Sequence, residues 1–248
     1  MRTSSIDIIT ADGVADAFIA RPDDDGPYPG VLLNMDGIGL RANLEQLATR
    51  FSSHGYVVLV VNAFYRAGRA PLITMEELLT TNRSPETMDK LMGLIGSLTS
   101  EVAASDAASW IAYLEAQPDV SDGPMGTVGY CMGGALAIRT AAAFPDRVKA
   151  VATLHGGNLA TEKQTSPHLL LDGLSAEFYV GHADNDGSAT PEQQVRLAAA
   201  FDAAGITYEA EVHEGAMHGF TQADTPMYDE AAAERHVEKV LELFGRAL

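Results

Sequence analysis

Apolar runs too continuous for a strand with one wet face alternate with helix-like segments along most of this chain, and that alternation constrains the fold most. Gly30–Met35 and Tyr56–Val61 are apolar on both faces, as strands covered by helices on each side must be. Met125–Tyr130, Lys149–His155, Glu177–Gly181 and Thr207–Val212 read as further strands. Between them, Leu44, Leu47, Ala48 and Phe51 have helical spacing and stop at Gly55. Val102–Ala116 precedes Pro118, and the small-residue stretch Met132–Phe144 closes at Pro145. Thr190-Pro191-Glu192-Gln193 fits a capping box opening a helix that ends near Gly205, and Tyr228–Leu248 is the last helix. This order predicts a mostly parallel central sheet flanked by helices on both faces. Ser4–Ile9 and Asp16–Ala20 meet at Asp12-Gly13, a hairpin signal. Asn62 to about Ser100, broken by Gly68, Pro71, Pro85, Gly93 and Gly96, reads as an excursion over the sheet with one or two short helices. Without a repeat or a linker, residues 1–248 are expected to form a single domain.

The formal charge of −18 argues against nucleic acid and against an anionic membrane surface, since both need a cationic face. One cysteine excludes an intramolecular disulfide. The first twenty residues carry Asp7, Asp12 and Asp16 and make a poor signal peptide, and no stretch approaches the ~18 apolar residues of a membrane span. The expectation is a cytoplasmic protein, monomeric or weakly dimeric, with no cofactor.

That single cysteine lies in Gly129-Tyr130-Cys131-Met132-Gly133-Gly134, between a strand and a helix. A nucleophile elbow needs small residues two positions either side of the nucleophile, because the backbone turns too sharply for larger side chains. The turn would place Cys131 at a helix N-terminus, where the dipole and the free Met132 amide favour negative charge. A thiol there is activated. The plainer reading, a buried cysteine in a tight turn, is outweighed by the strand and helix on its two sides.

In an elbow architecture the acid and the histidine follow the nucleophile, on loops after later strands. Asp184 and Asp186 both lie in Gly181-His182-Ala183-Asp184-Asn185-Asp186, and spacing alone does not separate them; Asp184 is preferred. His218, in the glycine-flanked loop after the last strand, is the candidate base. His155 and His182 end strands and are expected at the site's rim, His213 to be directed by the sheet, and His236 to sit on a helix surface. The Met132 amide would be one oxyanion donor and Gly37, in Asp36-Gly37-Ile38-Gly39, the other.

These segments resemble the dienelactone hydrolase family of the α/β-hydrolase fold. The resemblance spans nearly the whole chain, through Met35-Asp36-Gly37-Ile38-Gly39-Leu40, His54-Gly55-Tyr56-Val57, Phe64-Tyr65-Arg66, the elbow, His155-Gly156-Gly157, Gly181-His182-Ala183-Asp184 and His218-Gly219-Phe220. It favours Asp184 and His218. It implies that Asp36, where the family has glutamate, lies beside the thiol and helps control its ionisation, with Tyr65, Arg66 and His155 near the substrate. Two residues beyond Phe220, where dienelactone-cleaving members carry a carboxylate-binding arginine, this chain has Gln222. A neutral amide cannot supply that charge-assisted pair, which turns the expectation toward a neutral ester or lactone; Arg66 is the alternative cation, with a surface arginine as its plainer reading.

The reading is therefore a hydrolase acting on a small-molecule ester or lactone through an acyl-cysteine. Two alternatives stand beside it. His155, His182, Asp184, Asp186 and His218 on one edge could form a metal-assisted site, although their spacing matches no metal signature. A non-catalytic scaffold could instead use Cys131 as a redox sensor.

Overall fold

The computed structural model describes residues 1–79 and 84–248. Eight strands form one sheet: β1 (Arg2–Thr10), β2 (Gly13–Arg21), β3 (Gly30–Asn34), β4 (Val57–Val61), β5 (Met125–Tyr130), β6 (Val148–Leu154), β7 (Glu177–Asn185) and β8 (Tyr208–Met217). Their spatial order is β1-β2-β4-β3-β5-β6-β7-β8. β1 pairs antiparallel with β2, and β2 with β4; all later pairs are parallel. The hairpin at Asp12-Gly13 is present, with Thr10 opposite Gly13.

The helices are α1 (Ala42–Ser52), α2 (Met75–Leu79), α3 (Pro85–Ser97), α4 (Ser100–Glu115), α5 (Met132–Ala143), α6 (Pro191–Ala204) and α7 (Glu230–Ala247). Half of the expected box at Thr190 is formed, its side chain accepting from the Gln193 amide, while Gln193 Oε1 is buried without a partner; Gly205 closes α6 in the left-handed region. Every residue of β3, β4 and β5 is buried. That burial on both faces is the physical reason for their mostly apolar sequence, and the polar Asn34 and Thr127 within it hydrogen-bond each other. The 62–100 excursion contains α2 and α3; α3 buries none of its residues fully.

Parallel strands aligned this way put the loops after β3, β5, β6, β7 and β8 on one edge, the edge where open α/β sheets bind ligands. β7 runs four residues past Gly181, the point at which the apolar run ends. That extension decides which aspartate reaches the site.

Candidate active site

Cys131 sits between β5 and α5 with φ 55° and ψ −119°, a conformation that a side-chain-bearing residue rarely holds. The flanking glycines are what permit it. A Cβ on Gly129 would overlap the carbonyl oxygen of Gly133. One on Gly133 would overlap the Asn34 carbonyl oxygen and come within 2.6 Å of that of Met35. The elbow is thus wedged against the end of β3, which brings the Asp36–Gly39 turn beside it. Met132 is the first residue of α5, so its amide has no intrahelical acceptor. Among the described residues no acceptor takes the Gly37 amide either.

His218, on the turn after β8, hydrogen-bonds Asp186, and Cys131 lies close enough to act on its ionisation. Its Nδ1 donates to Asp186 Oδ2 at 2.7 Å. Burial opposes charge on the imidazole, but the hydrogen bond to Asp186 and the electrostatic pull of Asp186 and Cys131 push its pKa up to about 10. Asp186 Oδ1 accepts from the Ser188 amide at 2.8 Å and the Ser188 hydroxyl at 2.6 Å. Burial disfavours the Asp186 carboxylate, yet the bonds from His218 and Ser188 outweigh it and hold the group below its usual range.

The preferred acid, Asp184, is not the one the structure brings to His218. It is exposed, still within β7, and accepts from the Gly215 amide of β8 at 3.0 Å. Asp186 lies just beyond the strand end, with a side chain only 2% exposed. Ser188 went unnoticed in the sequence, although Asp-x-Ser is the signal for the i→i+2 turn it makes.

Other expected contacts also resolve differently. Tyr65 is buried and donates to Asp106 at 2.9 Å, while Arg66 bridges Asp106 and Asp12. The pair clamps the excursion to the β1–β2 hairpin and to α4, and neither residue lines the cleft. Gln222 is 2% exposed and does not line the cleft; its Oε1 accepts from Arg41 and Asn43 and its Nε2 donates to the Thr221 hydroxyl. Asp36 is also buried, and its Oδ1 accepts from Arg41 Nη1 and the Ile38 and Gly39 amides. Burial outweighs these partners and raises its pKa; Oδ2 is buried without a partner. No hydrogen bond among the described residues joins Asp36 to Cys131.

His155 is fully buried behind His218, ring centroids 5.1 Å apart, with Nε2 2.8 Å from the Thr221 hydroxyl. Burial pulls its pKa far down, so it is a neutral packing neighbour of the site. His182 is buried too, its pKa lowered to about 4 by desolvation, and does not face the rim. His236 is 1% exposed beneath Tyr130, because α7 turns that face onto the sheet. His213 is buried on β8, where the strand directs it. Among the described residues no three His, Cys, Asp or Glu side chains converge to hold a metal ion.

Cys131, His218 and Asp186 open into a cleft of about 850 Å³, roofed by α3 and walled by the 157–167 loop. No described helix is long and apolar enough to cross a membrane.

An elbow between β5 and α5, with a histidine and a carboxylate on the loops after β8 and β7, defines an α/β-hydrolase. Similarity to known proteins narrows the class. A sequence profile described as "Dienelactone hydrolase family" matches residues 15–248, and the chain belongs to that family of carboxylic ester hydrolases. A Synechocystis protein provisionally assigned as a carboxymethylenebutenolidase is 26% identical over 93% of this chain and 91% of its own. The carboxymethylenebutenolidase of Pseudomonas sp. strain P51 is 25% identical over 89% and 86%. A Klebsiella pneumoniae structure, provisionally assigned as a dienelactone hydrolase, superposes with a TM-score of 0.85 over 98% of both chains at 20% identity.

Proposed function

We propose that this chain hydrolyses an activated carboxylic ester, enol-lactone or thioester through an acyl-cysteine intermediate, with Cys131 as nucleophile, His218 as acid and base, and Asp186 orienting His218. The observation that carries this reading is the placement of His218 between Cys131 and Asp186 at the cleft mouth.

The Cys131 thiolate attacks the carbonyl carbon, and the electron pair displaced onto oxygen is held by the Met132 and Gly37 amides. Collapse expels the alkoxide or thiolate, which takes the proton on His218 Nε2. Acylation removes the negative charge of Cys131, so two of the influences that raise the His218 pKa disappear. The imidazole is then free to take a proton from water, which attacks the thioester. The regenerated thiolate departs and the proton stays on His218, restoring the ion pair. Asp186 keeps Nδ1 protonated throughout. Because a thiolate leaves more readily than an amine, the tetrahedral intermediate from a peptide would collapse backwards. The reading therefore favours esters, lactones and thioesters.

Titrating the protein with iodoacetamide while following p-nitrophenyl butyrate hydrolysis and intact mass tests this. Activity should fall in step with a single adduct on Cys131. Full turnover after complete alkylation would remove the thiol from the chemistry.

A further inference from the structure

Met132, Ala135, Leu136 and Arg139 fall at i, i+3, i+4 and i+7 of α5 and form one helical stripe. All four line the cleft. The stripe starts at the amide beside Cys131 and ends about 10 Å further along the helix axis at Arg139. Between the two ends it is apolar, and Ile95 and Leu98 line the same cleft.

Arg139 is peculiar in this molecule. Every other described arginine has a carboxylate within 4.0 Å. Arg139 has none and makes no hydrogen bond among the described residues, although acidic residues outnumber basic ones by 34 to 16. Its Nε is buried without a partner. Desolvation pulls its pKa down, with only the charge of Glu101 acting against that. Its stem and Nε lie buried along the stripe, while the two Nη groups are not buried and have no protein partner, so they are left for the cleft's solvent or a ligand to satisfy.

We propose that Arg139 is a specificity-determining residue that binds a carboxylate at the far end of one substrate arm: the cleft takes an ester or thioester whose apolar spacer of several carbons ends in that group. The two outward Nη groups of the guanidinium match a planar carboxylate through two parallel hydrogen bonds. Glu101 also lines the cleft, and its negative charge favours a monoanion over a phosphate dianion. This assignment replaces the neutral substrate that Gln222 suggested. It relies on the hydrolase reading for the reaction but not for the anion site.

The test compares the p-nitrophenyl monoester of adipic acid with its methyl-capped analogue in the wild type, Arg139→Gln and Arg139→Lys. The wild type should prefer the free carboxylate, through KM. Arg139→Gln should lower the anionic-to-capped ratio of kcat/KM by roughly 10- to 100-fold, the range of a charge-assisted pair, and Arg139→Lys should keep part of it. A ratio unmoved in Arg139→Gln, or a wild type that favours the capped ester, would overturn the proposal. Calorimetry on Cys131→Ala with adipate reads the site without turnover: binding abolished by adding Arg139→Gln supports it, and binding indifferent to Arg139 or weaker than that of inorganic phosphate overturns it. Arg139-dependent adipate binding with no turnover of either ester would sink the hydrolase reading alone. Turnover without the charge preference would sink the anion site alone.

Discussion

Replacing Asp186 with asparagine removes the charge that faces His218 Nδ1 at 2.7 Å while keeping the side chain's shape. Losing a charge-assisted hydrogen bond costs about 1.5–3 kcal/mol, or roughly 10- to 150-fold in rate. The asparagine amide can also turn its N–H toward the ring and hold the wrong tautomer; in serine triads that substitution reduces kcat about 10⁴-fold. The expected loss in kcat/KM for Asp186→Asn is therefore about 10²- to 10⁴-fold. Asp184→Asn removes only an exposed carboxylate that accepts from the Gly215 amide, and should change kcat/KM by less than about threefold. Steady-state hydrolysis of p-nitrophenyl butyrate by the two variants, with melting curves to check folding, decides the matter. A loss for Asp184→Asn equal to or larger than that for Asp186→Asn would refute the orientation argument.

Cys131→Ala removes one of the two groups that raise the His218 pKa, so that pKa should fall from about 10, as read by imidazole chemical shifts against pH. With sign: the raised value makes the His218 pairing stabilising below about pH 6.5, the unfolded value, and that stabilisation fades as pH rises through about 10. Cys131→Ala should therefore flatten the alkaline fall in melting temperature. Gly133→Ala should cost more than about 3 kcal/mol by denaturant unfolding, or fail to fold, since its Cβ overlaps the main chain of β3. Arg66→Ala leaves the buried Asp106 without its cation and should destabilise by about 3 kcal/mol while KM stays within about twofold; a large rise in KM would return Arg66 to the cleft.

The central sheet was legible because β3, β4 and β5 are buried on both faces and so are mostly apolar, their buried Asn34 and Thr127 bonding each other. Cys131 was legible because the close approach of Gly129 and Gly133 writes its constraint into two residue types. Asp186 was hidden by the end of β7. The apolar run stops at Gly181, but main-chain pairing with β8 continues to Asn185 and carries Asp184 outward. Hydrogen bonds between main-chain atoms leave no trace in side-chain hydropathy. Gln222, Arg66 and Tyr65 were misplaced for a related reason: their partners Arg41, Asn43, Asp12 and Asp106 lie 40 to 181 positions away. Arg139 carries a visible stripe spacing, but which face of α5 meets the cleft is set by the packing of α3 and the 157–167 loop.

The account stands on a covalent bond between Cys131 and the substrate acyl group. Rapid acid quench of the protein during turnover of p-nitrophenyl butyrate, followed by peptide mass analysis, looks for that bond directly. The account predicts a butyryl increment on the peptide containing Cys131 in the wild type, and neither increment nor turnover in Cys131→Ala. Turnover by Cys131→Ala within about tenfold of wild type, with no acylated peptide in either protein, would contradict it.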